Sequence, residues 1–258
     1  MHDESILRTD SLSDSSLRDI LDLIHLCECH DNQPFDYPLH EEGQLHWLLY
    51  ARPESCLKAV LTLIPIDGET VECCAFTRPA MRRNGCFSRL LEQAEEEAGD
   101  RYLLFAVRPV PDTLAVLDAL SAECISVEHR MERTLSDDDR HLPERFRRLD
   151  ATSALLTNVM GTDERWELIA NPPADAPLAS CLLTPAGDSC VCLHHVEVVE
   201  SMRGQGYGSA LLFFLFQKLA CRNIRSIVLH VSGDNSAAIA LYRKTGFRIT
   251  ETLSCYLC

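Results

Sequence analysis

A glycine-rich stretch in the last quarter of the chain is the part of the sequence whose residue types and spacing most clearly indicate chemistry. It follows an apolar, β-branched run at residues 191–199 and precedes an apolar helical stretch at residues 209–220, so it predicts a turn from a strand into a helix. Glycine lets the backbone approach an anion closely, and the free N–H groups of a helix's first turn point toward that anion. The stretch therefore predicts a phosphate-binding turn made of Arg203, Gly204, Gln205, Gly206, Tyr207 and Gly208.

Three kinds of phosphate-binding turn differ in their spacing, and one of them fits. A P-loop ends in Gly-Lys-Ser or Gly-Lys-Thr, whereas this turn ends in Gly208-Ser209-Ala210. A dinucleotide fingerprint would place its third glycine at Ser209, and it needs an acidic residue at the end of the next strand, which does not clearly follow. The pattern Arg/Gln-x-x-Gly-x-Gly/Ala is met by Arg203, Gly206 and Gly208, and it resembles the acyl-coenzyme A loop of the GNAT N-acetyltransferases.

A second segment strengthens that resemblance. Residues 235–247 match the family pattern N-x-x-A-x-x-L-Y-x-x-x-G-F at every fixed position. The segment predicts a helix that is capped by Asn235 and ends at Gly246, with one face formed by Ala238, Leu241 and Tyr242. An ordinary amphipathic helix would explain the alanines and the leucine but not the place of the tyrosine. The resemblance covers the chain closely from about Cys181 onward, and it implies acetyl-CoA as the co-substrate.

The same resemblance implies roles for individual residues. The strand at Val198 would present its backbone to the pantetheine arm, since an amide-bearing arm can dock on an open strand edge as another strand would. Tyr242 would lie near the thioester sulfur and act as general acid, and its ordinary pKa near 10 is close enough to that of a thiol. The alternative is a packed helix tyrosine whose hydroxyl meets water or backbone. The residues implied to bind the cofactor are Val198, Arg203, Gly204, Gln205, Gly206, Tyr207, Gly208, Ser209 and Asn235.

The general base is a separate question. Residues 227–231 predict a strand in which His230 faces the side opposite Leu229 and Val231. Relatives that acetylate protein N-termini can carry a glutamate at this position, and the ordinary histidine pKa near 6.5 suits removal of a proton from an ammonium group through water. A hydrogen-bonded core histidine is the competing interpretation. Further candidates on the preceding strand are His194, His195 and Glu197.

Composition limits the partners. A formal net charge of −15 argues against nucleic acid and is compatible with an amine substrate, although solubility explains it equally well. The sequence shows neither a membrane-spanning run nor a signal peptide, so we expect a cytoplasmic protein. Its 13 cysteines lie mostly in apolar runs and predict reduced thiols. The cluster at residues 27–30 lacks a second Cys/His pair, so no metal is expected.

The first half repeats the order of parts of the second. A hairpin around residues 67–69 leads to a turn at residues 77–87, a helix to residue 98, a strand at 102–107, a helix at 113–122 and a strand at 125–131. Arg82 and Gly85 occupy the loop positions, but Phe87 stands at the second glycine and Ala119 at the tyrosine. The first half therefore resembles a diverged GNAT domain without the candidate acid.

These observations predict an α/β (α+β) fold of two tandem GNAT-type domains, each a mixed, mostly antiparallel twisted sheet flanked by helices. A charge reversal over residues 136–148 places the boundary so that the domains are 1–138 and 139–258, with catalysis in the second. Short helices are expected in the second domain near residues 154–160 and 164–170.

The predicted activity is transfer of an acetyl group from acetyl-CoA to an amine-bearing small molecule or peptide by direct attack on the thioester. No cysteine has a motif that suggests an acyl-enzyme. The alternative is a non-catalytic acyl-CoA-binding sensor or regulatory protein. The sequence does not identify the acceptor, and it leaves a homodimer open.

Overall fold

The protein is described by a computed structural model that covers residues 4–39, 42–51, 56–141, 143–144, 146, 153–170 and 177–258. The chain forms two compact units. The N-terminal unit comprises Met1–Ser126 together with Leu253–Cys258, and the C-terminal unit comprises Val127–Thr252. The first segment of the N-terminal unit ends at residue 126, and the C-terminal unit begins at residue 127. The domain boundary that the sequence predicts between residues 138 and 139 stays a prediction. Residues 142, 145, 147 and 148 of the charge-reversal region lie outside the described residues.

The N-terminal unit is a mostly antiparallel sheet with helices against it. Its five leading strands are β1 (Glu4–Thr9), β2 (Leu45–Ala51), β3 (Cys56–Pro65), β4 (Thr70–Thr77) and β5 (Tyr102–Val107). Strands β1 to β4 pair antiparallel in order, and β5 pairs antiparallel with the end of the last strand, β12 (Arg248–Leu257). Strands β4 and β5 are parallel and pair over Thr70–Glu72 and Tyr102–Leu104. The helices are α1 (Asp14–Asp31), α2 (Cys86–Ala98) and α3 (Pro111–Ala119).

Helix α2 shows how the sequence builds this unit. Its buried residues recur at helical spacing, so a single apolar face meets the sheet while glutamates occupy the other faces. A short 3-10 turn, Pro79–Met81, precedes the helix, which begins after Gly85 in the left-handed region. The buried face consists of Cys86, Leu90, Leu91, Ala94 and Ala98.

The C-terminal unit repeats this plan. Its strands are β6 (Glu123–Thr134, from Val127 onward), β7 (Ser153–Met160), β8 (Asp163–Ala170), β9 (Ala179–Gly187), β10 (Cys190–Val198), β11 (Ser226–Ser232) and the first half of β12. Strands β7 to β10 pair antiparallel in order, β10 and β11 pair parallel, and β11 pairs antiparallel with β6. The helices are α4 (Tyr207–Cys221) and α5 (Ser236–Lys244).

Helix α4 forms the centre of the C-terminal core. It is apolar on nearly every face, and most of its side chains are buried. A short 3-10 turn, Glu200–Met202, precedes it, as one precedes α2. The predicted fold class is thus confirmed: a mixed, mostly antiparallel sheet with flanking helices occurs in both units. None of the helices in the described part of the chain is long and apolar enough to cross a membrane.

The helices expected near residues 154–160 and 164–170 were wrong, because both segments are strands. Strands β7 and β8 form an antiparallel hairpin whose turn contains Gly161 with φ +68°. In β8 the side chains of Trp166 and Leu168 are buried while Arg165 and Glu167 form an ion pair with each other. This alternation with a period of two is typical of a strand with one face on the core.

Candidate active site

The end of strand β10 provides an open backbone edge. The parallel pairing with β11 covers Cys190–Cys192 and Ser226–Val228, and beyond it β10 keeps its pairing with β9 through Val198. The register shifts between His194 and Glu197, and His195 lies in the left-handed region with φ +51°. A bulge of this kind bends a strand away from its neighbour. The prediction that Val198 presents its backbone to an extended ligand therefore has a geometric basis.

The predicted phosphate-binding turn connects β10 to α4. Gly206 is the N-cap of α4 with φ +92°, Gly204 has φ +73°, and a Cβ atom on either glycine would meet no atom within 4 Å. The backbone N–H groups of residues 204–209 donate to no acceptor among the described residues. Six unpaired amides at the start of a 15-residue helix are a strong anion-binding arrangement.

Arg203 begins this turn. Its Nε donates to the carbonyl oxygen of Val198 at 3.2 Å, and its side chain has no carboxylate partner in the described part of the chain. Gln205 Nε2 donates to the Ser201 carbonyl at 3.0 Å, which leaves the amides of the turn open. A cationic side chain anchored beside free amides adds positive charge where an anion would lie.

Gly208 has a packing role in addition to the phosphate-binding role that is predicted for it. It is buried within the first turn of α4, where a Cβ atom would lie 3.2 Å from Leu241 Cδ2 and 3.3 Å from Val198 Cγ2. The absence of a side chain therefore allows α4 to pack closely on β10 and α5. The two motif segments are brought together at this contact.

Helix α5 carries the predicted acid. The side chain of Asn235 accepts a hydrogen bond from the Ala238 amide at 3.1 Å, which confirms the cap. The helix ends in a Schellman motif: Phe247 N donates to Tyr242 O at 3.0 Å and Gly246 N to Arg243 O at 3.1 Å. The rings of Tyr242 and Phe247 pack edge to face with their centroids 5.7 Å apart.

Tyr242 is 7% exposed, and its hydroxyl makes no hydrogen bond to any described residue. Burial raises the pKa of its phenol to about 12, with Cys181 adding a smaller effect. The group therefore stays protonated over the whole neutral range and keeps a proton to donate. The fixed spacing between Tyr242 and Phe247 in the motif is explained by the packing of their two rings, which the sequence pattern did not show.

His230 lies on β11 opposite the buried side chains of Leu229 and Val231, as the alternation predicts. It is not a core histidine, because its side chain is 52% exposed. Its Nδ1 lies 3.1 Å from Glu128 Oε1 on the adjacent strand β6. A carboxylate on one ring nitrogen orients the imidazole and leaves the other nitrogen available.

A second histidine group lies at the bulge of β10. His194 Nε2 is 2.8 Å from Thr184 Oγ1, which donates to Asp163 Oδ1 at 2.7 Å, and His194 Nδ1 is 2.8 Å from His195 Nδ1. The sequence identified the two histidines but not Asp163 and Thr184, because the antiparallel pairing of β8, β9 and β10 brings them close together. Glu197 is exposed on the same strand.

Two further observations concern the cysteine thiols and metal binding. All 13 cysteines are free, and burial raises the pKa of the Cys74 and Cys181 thiols to about 12. Among the described residues, no group of three or more His, Cys, Asp or Glu side chains could hold a metal ion. A cavity of about 610 Å³ lies in the N-terminal unit, and none of the residues predicted for the site lines it.

Comparisons with known proteins connect this site with a family. Residues 135–247 match the family described as "Acetyltransferase (GNAT) family". A mycothiol acetyltransferase of Amycolatopsis mediterranei is 46% identical over 57 residues, which are 22% of this chain and 19% of that protein. A GCN5-related N-acetyltransferase 6, chloroplastic, of Arabidopsis thaliana is 38% identical over 55 residues, or 21% of this chain and 19% of that protein. The matched segments thus span about a fifth of these curated relatives.

Solved structures share the fold along the whole chain. A GCN5-related N-acetyltransferase from Sphaerobacter thermophilus has a TM-score of 0.65 at 15% identity and covers 98% of this chain and 95% of its own. A tandem GNAT protein from the clavulanic acid biosynthesis pathway has a TM-score of 0.55 at 16% identity and covers 99% and 98%. At such identities the likeness shows the fold alone. The chain therefore has the fold of these tandem GNAT-type proteins, and its residues 135–247 are similar to the acetyltransferase (GNAT) family.

Proposed function

We propose that the C-terminal unit transfers an acetyl group from acetyl-CoA to an amine by direct attack on the thioester. The observation that carries this proposal is the junction at Gly208: it joins six free loop amides to the helix that bears Tyr242, beside the open edge at Val198. Such a transfer requires a turn that binds the anionic part of the co-substrate, a strand edge that binds its extended pantetheine arm, and a buried proton donor.

The loop would hold the pyrophosphate of the co-substrate. The amides of residues 204–209 and the guanidinium of Arg203 would bind it, while Asn235, whose side chain caps α5, fixes the helix that faces the loop. The amide groups of the pantetheine arm would pair with the β10 edge near Val198. This placement presents the thioester near the bulge and near α5.

The proposed reaction is a nucleophilic substitution at the thioester carbonyl. The neutral amine nitrogen attacks the thioester carbonyl carbon, a C–N bond forms and the C–S bond breaks. The departing thiolate takes a proton or a hydrogen bond from the Tyr242 hydroxyl, and the nitrogen loses its extra proton through water to His230. With a phenol pKa of about 12, the tyrosine is a weaker acid than an ordinary phenol, so its main contribution is a hydrogen bond that stabilises charge on sulfur.

Glu128 supports the role of His230. Its carboxylate contacts one ring nitrogen, so the other can accept a proton from a water molecule or from the ammonium form of the acceptor. Both side chains are more than half exposed, which suits a base that exchanges protons with solvent.

The acceptor in this proposal is an amine-bearing small molecule or peptide, in keeping with relatives named as mycothiol acetyltransferases and N-acetyltransferases. The proposed setting is the cytoplasm, without a metal and without nucleic acid or membrane partners. A homodimer is compatible with it.

The deciding experiment measures free thiol released from acetyl-CoA while a panel of amines is offered to the full chain. Small amines, amino acids, amino sugars and peptides with free N-termini form the panel, and the corresponding N-acetylated compounds are its matched controls. We expect thiol release that depends on both the enzyme and a free amine. If acetyl-CoA binds but no amine yields thiol above the control, the protein is an acyl-CoA sensor and the proposal fails.

A further inference from the structure

The N-terminal unit contains a cavity of about 610 Å³, a volume within the range of small-molecule sites. The cavity runs from the glycine turn before α2 along that helix to β4, β5, α3 and the C-terminal end of α1. The proposed acetyl transfer uses none of the residues that line it. Most of its wall is apolar, with side chains that include Phe35, Phe76, Met81, Phe87, Phe105 and Leu120.

The glycine turn at this cavity has free amides like those of the C-terminal turn. Gly85 is the N-cap of α2 with φ +72°, and a Cβ atom there would meet no atom within 4 Å. The backbone N–H groups of residues 83–88 donate to no acceptor among the described residues. Arg82 Nε donates to the Thr77 carbonyl at 3.4 Å, just as the arginine of the C-terminal turn donates to its own strand. This end of the cavity can therefore hold a phosphate group.

Strand β4 provides an open edge beside this turn. It pairs parallel with β5 over Thr70–Glu72 and Tyr102–Leu104, whereas its pairing with β3 continues to Thr77. The N–H and C=O groups of residues 73–77 that face β5 can therefore pair with an extended arm that carries amides, as at the edge of β10. The turn and the edge together fit a molecule with a phosphate group at one end of such an arm.

The positive charge at this turn is weaker than at the C-terminal turn. Arg82 donates to both carboxylate oxygens of Asp31 at 2.7 and 2.8 Å and to Asp112 at 3.2 Å, so its charge is neutralised and the amides attract an anion by themselves. Glu92 and Glu95 also line the cavity. The nearer one, Glu92, is about 9 Å along α2 from the start of the helix, which is about one Debye length at physiological salt. The two glutamates therefore oppose an anion at the turn weakly.

The rest of the cavity differs from the C-terminal site in the residue that replaces the tyrosine. Ala119 lines the cavity at the position in α3 that corresponds to Tyr242 in α5, so no phenol occupies this space and no phenolic hydroxyl can stabilise a departing thiolate. The cavity also reaches Phe35 and Phe76, whose rings meet edge to face with their centroids 5.5 Å apart. A hydrocarbon chain can lie against these apolar groups.

We propose that this cavity binds an acyl-coenzyme A whose acyl chain is longer than acetyl, and that it holds the thioester without transferring the acyl group. The pyrophosphate lies at the amides of residues 83–88, the pantetheine arm along residues 73–77, and the acyl chain against the apolar wall. Because Arg82 is neutralised, the acyl chain supplies a large share of the affinity, and each buried methylene group strengthens binding about fourfold. This site is separate from the proposed acetyl transfer and does not depend on it.

Calorimetric titration of the full chain carrying Gly206→Asp tests this site with acetyl-CoA and hexanoyl-CoA. The new carboxylate repels an anion from the C-terminal turn, where the left-handed backbone and the open surroundings accept an aspartate. We expect one hexanoyl-CoA per chain, bound about 10²-fold tighter than acetyl-CoA, because the chain is four methylene groups longer. Absence of saturable hexanoyl-CoA binding would overturn the proposal, and equal affinities for the two thioesters would overturn the preference for a longer chain.

Matched variants locate the site. Gly85→Asp in the otherwise native chain should abolish the tight hexanoyl-CoA site and leave acetyl-CoA binding at the C-terminal turn unchanged, since Gly85 and Gly206 have the same open surroundings. Ala119→Trp, at an exposed position of α3, should fill the cavity. In the Gly206→Asp background it should remove the advantage of hexanoyl-CoA at an unchanged melting temperature. Undiminished hexanoyl-CoA affinity in either variant would overturn the location.

The holding role has its own measurement. Hexanoyl-CoA that is incubated with the Gly206→Asp chain and a panel of amines should be recovered intact. Release of free thiol above the level without protein would overturn the absence of transfer. The titrations contain no amine, so a C-terminal unit that never transfers acetyl would leave the expected binding results unchanged.

Discussion

Gly208 and Leu241 lie so close that a Cβ atom on the glycine would be 3.2 Å from the leucine Cδ2. One residue belongs to the phosphate-binding turn and the other to the helix of the proposed acid. Their contact therefore fixes the distance between the anion site and Tyr242. In the sequence pattern, Gly208 is explained by the close approach of the backbone to a phosphate. In the structure, the close packing of the turn on helix α5 also requires a glycine at this position.

The contact predicts the outcome of a double-mutant cycle. Gly208→Val should lower the free energy of unfolding by about 1–3 kcal/mol, because the new methyl groups overpack the space taken by Leu241 and Val198. In a Leu241→Ala background the same change should cost less, since the crowding atoms are gone. Denaturant unfolding of the four proteins measures the coupling. Equal costs in both backgrounds would show that the valine acts elsewhere.

Gly246 offers a second stability prediction. Its φ is +97°, and a Cβ atom there would collide with the guanidinium of Arg133, which also donates to the Thr245 carbonyl and lies 4.2 Å from the Phe216 ring. Gly246→Ala should therefore destabilise by about 1 kcal/mol or more beyond the backbone strain alone. Gly206→Ala is the matched control, because its φ is +92° and its surroundings are open. Similar melting temperatures for the two variants would contradict the collision.

Features that depend on neighbouring residues, such as the ends of a helix, could be predicted from the sequence. Pairings between strands that are distant in the chain could not. The cap at Asn235 and the end at Gly246 depend on residues within one or two helical turns, so their pattern alone predicts them. The sequence of β7 and β8 predicts helices wrongly because short apolar runs fit either a helical or a strand period, and only the pairing of the two segments distinguishes them. Arg133 shows the same limit, since pairing of β6 with β11 places it at the end of α5.

The role of Tyr242 is tested by its change to phenylalanine. The ring packing on Phe247 survives, so the melting temperature and the affinity for acetyl-CoA should stay the same. Turnover should fall about 10²-fold, because the hydroxyl that stabilises charge on sulfur is lost. Thiol release slowed by about 10²-fold with retained coenzyme binding is the expected pair of results. An unchanged rate would leave the tyrosine with packing as its sole function.

The two histidine groups can be separated by matched glutamine variants. His230→Gln should lower kcat/KM about 10²-fold near neutral pH, with a smaller loss at higher pH where more of the amine is already neutral. His194→Gln alters the group at the bulge and should reduce the rate far less. Rate profiles from pH 6 to 9 give both values. A larger loss in His194→Gln than in His230→Gln would transfer the role of base to the bulge.

Burial of His46 makes the stability of the N-terminal unit depend on pH. The side chain is 2% exposed, and its Nδ1 lies 2.9 Å from Thr62 Oγ1 and 3.0 Å from Tyr37 Oη. Burial lowers its pKa below the ordinary 6.5, so the unfolded chain binds a proton more readily than the folded one. Stability is therefore fully present above pH 6.5 and is lost as the pH falls through the folded pKa.

Chemical unfolding at pH 7.5, 6.5, 5.5 and 5.0 measures this loss. The free energy of unfolding should decrease across the series in the native chain, and the decrease should be smaller in His46→Gln, whose amide does not titrate but can still meet Thr62 and Tyr37. Because the variant removes one titrating group and keeps a polar side chain of similar length, its curve isolates the histidine from the many carboxylates. Parallel curves for the two proteins would show that His46 is not the group whose protonation opposes folding.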